Sequence, residues 1–188
     1  MNLQNNSADY QAKRYLALSG GVGGARLAHG LAQVLPPGAL TVAVNTGDDF
    51  EPFGLPVWPD FDTVLYTLAG VAHRGQGWGR ADETFSVMDE LRRLGGEDWF
   101  LLGDRDIALH LVRRALLAQG LRAGEVAAEL CRRLDVRVPL LPVSDDALRT
   151  QVETDEGTLP FQHYFVRRRC EPALRALRFE GAERARLG

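Results

Sequence analysis

Three groups of residues in this 188-residue chain have types and spacings that could do chemistry. The first is a glycine run, Gly20-Gly21-Val22-Gly23-Gly24. Consecutive glycines let the backbone turn tightly and approach a ligand closely, and the amides that open a following helix face an anion such as phosphate. The second is an acidic loop that begins with Asp48 and Asp49 and closes with Asp60 and Asp62. Hard carboxylate oxygens suit Mg²⁺, which takes one or two protein carboxylates and completes its shell with phosphate oxygens and water. The third is Gly103-Asp104-Arg105-Asp106, two carboxylates flanking an arginine that can fork onto a phosphate or carboxylate. Together they point to a phosphate or nucleotide handled with a divalent cation. Each also has a purely structural reading: the glycines as a plain strand-to-helix turn, and Asp48, Asp62 or Asp104 as caps. These residues alone do not specify the reaction.

Other chemistries are disfavoured by what stands at particular positions. Gly21 and Gly23 supply the first two glycines of a dinucleotide fingerprint, but Arg26 holds the third position, which argues against a nicotinamide site. Lys13 is the one lysine and precedes the glycine run, so a P-loop, which ends in lysine, is excluded. His29, His73, His110 and His163 have no metal spacing and no neighbouring nucleophile. Cys131 and Cys170 form no metal or redox motif. Trp58 and Trp78 sit in irregular loops, where an indole stacks on a flat ring or packs beneath the loop.

The elements that must position these residues can be read from periodicity. Tyr15 to Ser19 is an apolar strand running into the glycine turn, Ala25 to Leu35 is helical, and Leu40 to Asn45 is a second strand. Strand, turn, helix, strand makes a βαβ unit with parallel strands. Ligands of such sheets bind beyond the carboxyl ends of the strands, where the glycine turn and the acidic loop both lie. Asp62 is expected to cap a helix over 63–69, and 82–94 reads as a helix ending at Gly95-Gly96. Asp104 opens a helix to about Gln119, and 123–134 is another. Strands are expected over 136–143, 150–153, 159–166 and 175–179. The fold class is therefore α/β, a Rossmann-like parallel sheet with helices on both faces and a helical insertion. Residues 15–188 form one domain behind a disordered leader, 1–14.

Composition narrows the setting. A net charge of −3 excludes a broadly basic nucleic-acid binder. No apolar run approaches the roughly 20 residues of a membrane span, and the polar N-terminus is no secretory signal. Two thiols in no pattern fit a reducing cytoplasm. Residues 167–188 carry seven arginines against three glutamates, a solvated face or, as a minority reading, a patch for an anionic substrate.

Six stretches taken in order carry a resemblance. They are Leu18-Ser-Gly-Gly-Val-Gly-Gly-Ala-Arg26, Val44-Asn-Thr-Gly-Asp-Asp49, Pro59-Asp-Phe-Asp-Thr-Val-Leu-Tyr66, Leu102-Gly-Asp-Arg-Asp106, Leu141-Pro-Val-Ser-Asp-Asp146 and Phe161-Gln162. From Tyr15 onward the chain resembles the 2-phospholactate transferase family of coenzyme F-420 biosynthesis (CofD-like). The resemblance implies transfer of a 2-phospholactyl or enolpyruvyl-phosphate group from a diphosphoguanosine donor. The acceptor would be the ribityl hydroxyl of a deazaflavin, and GMP would leave. It implies Mg²⁺ held by Asp49 and Asp60. It places Gly20, Gly21, Gly23, Gly24, Asn45, Thr46, Asp48 and Arg105 against substrate. It makes Asp62, Asp104 and Asp106 catalytic carboxylates, with Asp62 or Asp104 as proton acceptor. Family members run longer, so a further strand and a Pro-Ser-Asn-Pro-type phosphate loop are expected past Gly188. A sheet short of a strand would leave an edge open to self-association, as in a homodimer. The competing expectations are a non-catalytic nucleotide-sugar-binding regulator of the gluconeogenesis-factor type and, more remotely, a Rossmann oxidoreductase.

Overall fold

A computed structural model describes residues 13–188, so most of the expected leader, 1–14, lies outside the described residues. The chain opens with β1 (Tyr15–Ser19), α1 (Gly21–Val34) and β2 (Leu40–Val44). Further on come α2 (Pro59–Leu68), α3 (Ser86–Arg93), α4 (Asp104–Ala118), α5 (Ala123–Arg133) and β3 (Leu140–Pro142). β1, β2 and β3 form a parallel sheet in that order, with Ser19 opposite Val44 and Val44 opposite Pro142. This is the expected βαβ unit, and the carboxyl ends of all three strands share one edge.

Alternation along the strands decides what packs. Ala17, Val42, Val44 and Leu140 join Ala25 and Ala28 of α1, Phe61, Val64 and Leu65 of α2, Leu109 and Leu116 of α4 and Val126 and Leu130 of α5 in one core. Burying each larger aliphatic contributes about 1.5–3 kcal/mol. On the opposite face Leu16 and Leu18 are 65% and 74% exposed. The class is thus the expected α/β one, a parallel sheet flanked by helices. The second face, where another helical layer was expected, is left open by the described residues. A smaller core, Val57, Met88, Leu102 and Ile107, ties α3 and α4 to the loop after β2.

The late strands form a separate antiparallel sheet. β4 (Arg149–Thr154) lies between β5 (Gly157–Pro160) and β6 (Leu174–Glu180). The strand expected over 159–166 stops at Pro160 and gives way to a π-helical turn, His163–Arg167. The strand expected over 136–143 is cut to three residues, because Pro139 has no N–H to give a ladder. Two contacts dock this second sheet on the first. Thr150 N–H donates to Gly47 O at 2.8 Å, and a Cβ on Gly47 would lie 2.9 Å from Thr150 Oγ1.

Three helix starts differ from the sequence reading. α1 begins at Gly21, not Ala25, because Gly21 takes φ +58 and a Cβ at Gly24 would meet Ser19 Oγ, so glycines bring the helix hard against β1. α2 begins at Pro59, where proline's fixed φ and missing N–H suit the first helical position. Asp62 is therefore inside its first turn and does not cap it. α3 begins at Ser86, not Asp82, because a distant carboxylate sets its start: Asp104 accepts from Ser86 N and Val87 N.

Candidate active site

The edge where the parallel strands end gathers the first two sequence motifs. Asp60 bridges them. Its Oδ1 accepts the Gly21 N–H at 2.7 Å and its Oδ2 accepts Asn45 Nδ2 at 2.9 Å. Asn45 Oδ1 in turn accepts the Gly47 N–H at 3.1 Å. The carboxylate thus occupies the amide that a phosphate was expected to take at Gly21. Gly24 is required by packing against Ser19, while Gly20 lets Asp60 approach, since a Cβ there would lie 2.9 Å from its Oδ2. Only Gly23, of the four, has open space around it.

Asp48 and Asp49 differ in setting. Asp48 is half-buried, and burial together with the charge of Asp60 raises its carboxyl to about 6, against an opposing hydrogen bond from Asn45. Gln162, from the last of the sequence motifs, donates to the Asp48 carbonyl at 3.4 Å. Asp49 is only 9% exposed, and burial pushes its carboxyl well above the usual range against the pull of Arg113 and Arg149. Its Oδ1 is buried with no hydrogen-bond partner, and so is Oγ1 of Thr46.

Asp62 lies behind Asp49, near enough for its charge and that of Arg113 to act on Asp49, while Asp104, Asp106 and Arg105 lie elsewhere. Asp62 is buried, with both oxygens taken by Arg113: Nη1 at 3.2 Å and Nη2 closer. Burial raises its carboxyl and Arg113 opposes the rise. Arg113 also donates to Pro56 O at 2.9 Å and lies 4.4 Å from the Trp58 ring centre. Trp58 itself packs edge-on to Phe61, so it lies under the loop. Because an arginine only donates, its 3.0 Å bond to His110 Nδ1 leaves the histidine proton on Nε2. Burial first, and then Arg113's charge, depress the His110 pKa to about 3. Asp104 accepts from Thr84 Oγ1, Ser86 N and Val87 N, and these bonds hold its carboxyl below the usual range. Glu83 answers by accepting from Arg105 N and Asp106 N at the start of α4. The Asp-Arg-Asp motif is therefore half of a clasp in which each segment caps the other's helix. Asp106 lines a separate cavity of about 670 Å³ with Trp78 and Arg80, and the Arg105 side chain is exposed.

Two clefts open beside Asp49. One, of about 390 Å³, is lined by Asp48, Asp49, Phe50, Trp99, Phe161 and His163 among others. Its aromatic rings pack together: Trp99 and His163 centres are 4.4 Å apart, and Phe50 and Trp99 centres are 6.1 Å apart. The other, of about 580 Å³, lies beyond β2 and β3 and is lined by Thr46, Asp49, Ser144, Arg122, Arg149 and Arg186 among others. Asp49, Glu51 and Arg149 line both. Arg149, Trp99 and His163 were not found from sequence. Phe161-Gln162, which borders them, was the available signal.

The chain holds no three-residue acid, histidine or cysteine cluster able to bind a metal unaided among its described residues. A divalent ion that shares substrate phosphates needs fewer protein ligands. Asp49's unpartnered buried oxygen and the crowded charges of Asp48 and Asp60 suit such an ion. No helix of the described residues is long and apolar enough to cross a membrane.

The family model described as 2-phospho-L-lactate transferase CofD matches residues 16–187. A phosphoenolpyruvate transferase of Streptomyces griseus is 48% identical over 178 residues, covering 92% of this chain and 56% of its own length. A 2-phospho-L-lactate transferase of Methanococcoides burtonii is 38% identical, with coverage of 92% and 56%. The chain thus spans little more than half the length of these curated relatives. A crystal structure of a UPF0052 family protein from Bacillus halodurans shares the fold at a TM-score of 0.58 and 16% identity, covering 94% of this chain and 53% of that one.

Proposed function

The chain belongs to the 2-phospho-L-lactate transferase CofD family, and from that membership we propose that it transfers a phosphorylated three-carbon acid in coenzyme F-420 biosynthesis. The donor is a diphosphoguanosine ester of enolpyruvate or lactate, and the acceptor is the ribityl hydroxyl of a deazaflavin. Relatives named phosphoenolpyruvate transferase are 41% to 49% identical and two named 2-phospho-L-lactate transferase 38% and 42%, so the reading keeps both donors.

One observation carries the reading: two clefts of different chemistry share a wall made of Asp49, Glu51 and Arg149. A group transfer needs its two substrates fixed on either side of the reacting atom. The aromatic cleft suits a flat heterocycle, and the cleft of mixed arginines and carboxylates suits a diphosphate that brings a divalent cation. The acceptor oxygen bonds to the phosphorus distal to guanosine. The bond from that phosphorus to the bridging oxygen breaks, and its electron pair leaves with GMP. The hydroxyl proton passes to Glu51 of the wall or to Asp48 in the aromatic cleft, since Asp62 and Asp104 have their oxygens engaged. Mg²⁺, when bound by Asp49 and Asp60, neutralises charge that builds on the diphosphate. Asp60 keeps Gly21 and Asn45 in register beside it.

The test is to incubate the chain with deazaflavin, enolpyruvyl-diphosphoguanosine and Mg²⁺ and to follow products by mass spectrometry. A phosphodiester product and GMP in equal amounts are expected. Binding of a uridine sugar with no affinity for deazaflavin would overturn the reading in favour of a regulator.

A further inference from the structure

We propose that Arg149 is the residue that grips the phosphate being transferred, and that the antiparallel sheet exists at this edge to deliver it. The inference rests on the two-substrate reading above. Arg149 is the first residue of β4 and is half-buried. It lines both clefts, and its charge is felt by Asp49.

Its guanidinium is left available. One N–H, on Nη1, donates to Leu148 O at 2.7 Å. A guanidinium has five such donors, and among the described residues Arg149 makes no ion pair. The cleft carries three arginines and four carboxylates, and its other two arginines are already paired: Arg122 reaches Glu125 and Asp145, and Arg186 reaches Asp146. An arginine held through Nη1, with no bond from Nε or Nη2 among the described residues, keeps the Nε and Nη2 edge for bidentate phosphate binding.

The surroundings complete a phosphate seat. Thr46 and Asp49 line the same cleft, each under a tenth exposed, each with a buried oxygen that no protein group satisfies. Such orphans are rare in folded proteins and call for a ligand or ordered water. Thr46 Oγ1 can donate to a phosphate oxygen, while Asp49 accepts only through a cation between them. The seat is rigid. The bond from Thr150 N to Gly47 O and the close fit of Gly47 against Thr150 Oγ1 fasten the start of β4 to the loop carrying Asp49. The ligand class of the cleft is therefore a diphosphate ester, met across Arg149 by a flat-ring alcohol in the aromatic cleft.

The experiment uses the full chain and three variants, Arg149→Gln, Arg149→Lys and, as a control on an exposed helix face, Arg132→Gln. Calorimetry with inorganic pyrophosphate and Mg²⁺ reads the cleft beyond β2 and β3, and quenching of tryptophan fluorescence by deazaflavin reads the aromatic one. Arg149→Gln should lose about tenfold or more in pyrophosphate affinity, the scale of a charge-assisted bond. Deazaflavin affinity should stay within about twofold, since no aromatic wall is lost. Where turnover is seen, kcat should fall further than KM rises, because the grip matters most as charge moves. Arg149→Lys should recover only part, since an ammonium cannot fork. Arg132→Gln should change neither affinity, and unchanged melting curves show that each variant is folded. Pyrophosphate affinity unaltered in Arg149→Gln overturns the proposal, as does failure of the wild-type chain to bind pyrophosphate. Loss of deazaflavin affinity alone also overturns it. These readouts stand even if the transferase assay fails, so the two ideas fall separately.

Discussion

Asp49 and Asp104 both belong to short acidic motifs next to a strand end or a helix start, yet the fold surrounds them in opposite ways. Asp104 accepts three hydrogen bonds, from Thr84 Oγ1, Ser86 N and Val87 N, which together hold α3 against α4. Asp49 is buried, and one of its oxygens has no partner. Asp62 sides with Asp104, because Arg113 takes both of its oxygens. Burying a carboxylate oxygen without a partner is costly, so a fold keeps one only where something else satisfies it. The lesson is that a carboxylate's unused hydrogen-bonding capacity marks a site better than its motif does.

That comparison can be broken most forcefully at Arg113. Arg113→Ala leaves Asp62 buried and unpaired, and should cost about 3–5 kcal/mol in urea unfolding. The double variant Arg113→Met with Asp62→Leu should regain most of that loss, because it removes both charges together. A single variant as stable as wild type would mean that Asp62 is not the engaged group described.

At Asp49 the expectation is reversed: function goes and fold stays. Asp49→Asn should reduce metal-dependent turnover by at least about 100-fold, beyond what loss of an outer-shell partner does. Its Mn²⁺ affinity, read by electron paramagnetic resonance, should fall with it. The melting temperature should hold or rise, since a carboxyl that burial disfavours has become neutral. Wild-type metal affinity in this variant would remove Asp49 from the ligand set.

Asp104→Ala should do the opposite on a smaller scale. Loss of the cap on α3 should lower the melting temperature modestly. In the folded variant kcat and KM should stay where they were. A large fall in kcat without loss of stability would return Asp104 to the catalytic group.

The gentlest probe is pH. His110 has a folded pKa of about 3, depressed by burial and by Arg113, against 6.5 for the free side chain. The stability tied to its neutral form is present above pH 6.5 and is lost as pH falls from there toward 3, because the unfolded chain binds the proton first. Asp48 and Asp62, with raised carboxyls, act in the other direction over the acid range. Replacing His110 by Gln should therefore make the decline in melting temperature between pH 6.5 and 4 shallower than in wild type. Parallel curves for the two proteins would mean that His110 titrates normally.

Local pattern carried much of this molecule. The apolar run 15–19, the glycine turn and the β-branched run 40–45 dictate a βαβ unit, since such strands bury an alternating face and the glycines permit the turn. Asp48, Asp49 and Asp60 were readable as an acidic loop at the carboxyl edge, and the ordered motifs added Asn45 and Thr46, but the start of α2 at Pro59 was not readable. Six ordered motifs carried the family as well. Other features were hidden from local pattern. Arg113 and Arg114 are neighbours of the same type, yet the first is fully buried on Asp62 and the second reaches Gly54 O from the surface. Asp104 and Asp49 are equally good acids on paper. Arg149 opens an ordinary strand, and nothing local says that it stands between two clefts. Sequence periodicity encodes which backbone forms and which side chains turn inward, because those depend on neighbours a few residues away. Whether a charge meets a partner depends on residues brought from 20 to 60 positions away along the chain, as with Thr84 for Asp104, Asp62 for Arg113 and Gly54 for Arg114. That choice belongs to the tertiary structure, and it separates carboxylates such as Asp62 and Asp104, whose bonds hold the fold, from those such as Asp49 with capacity left for a ligand.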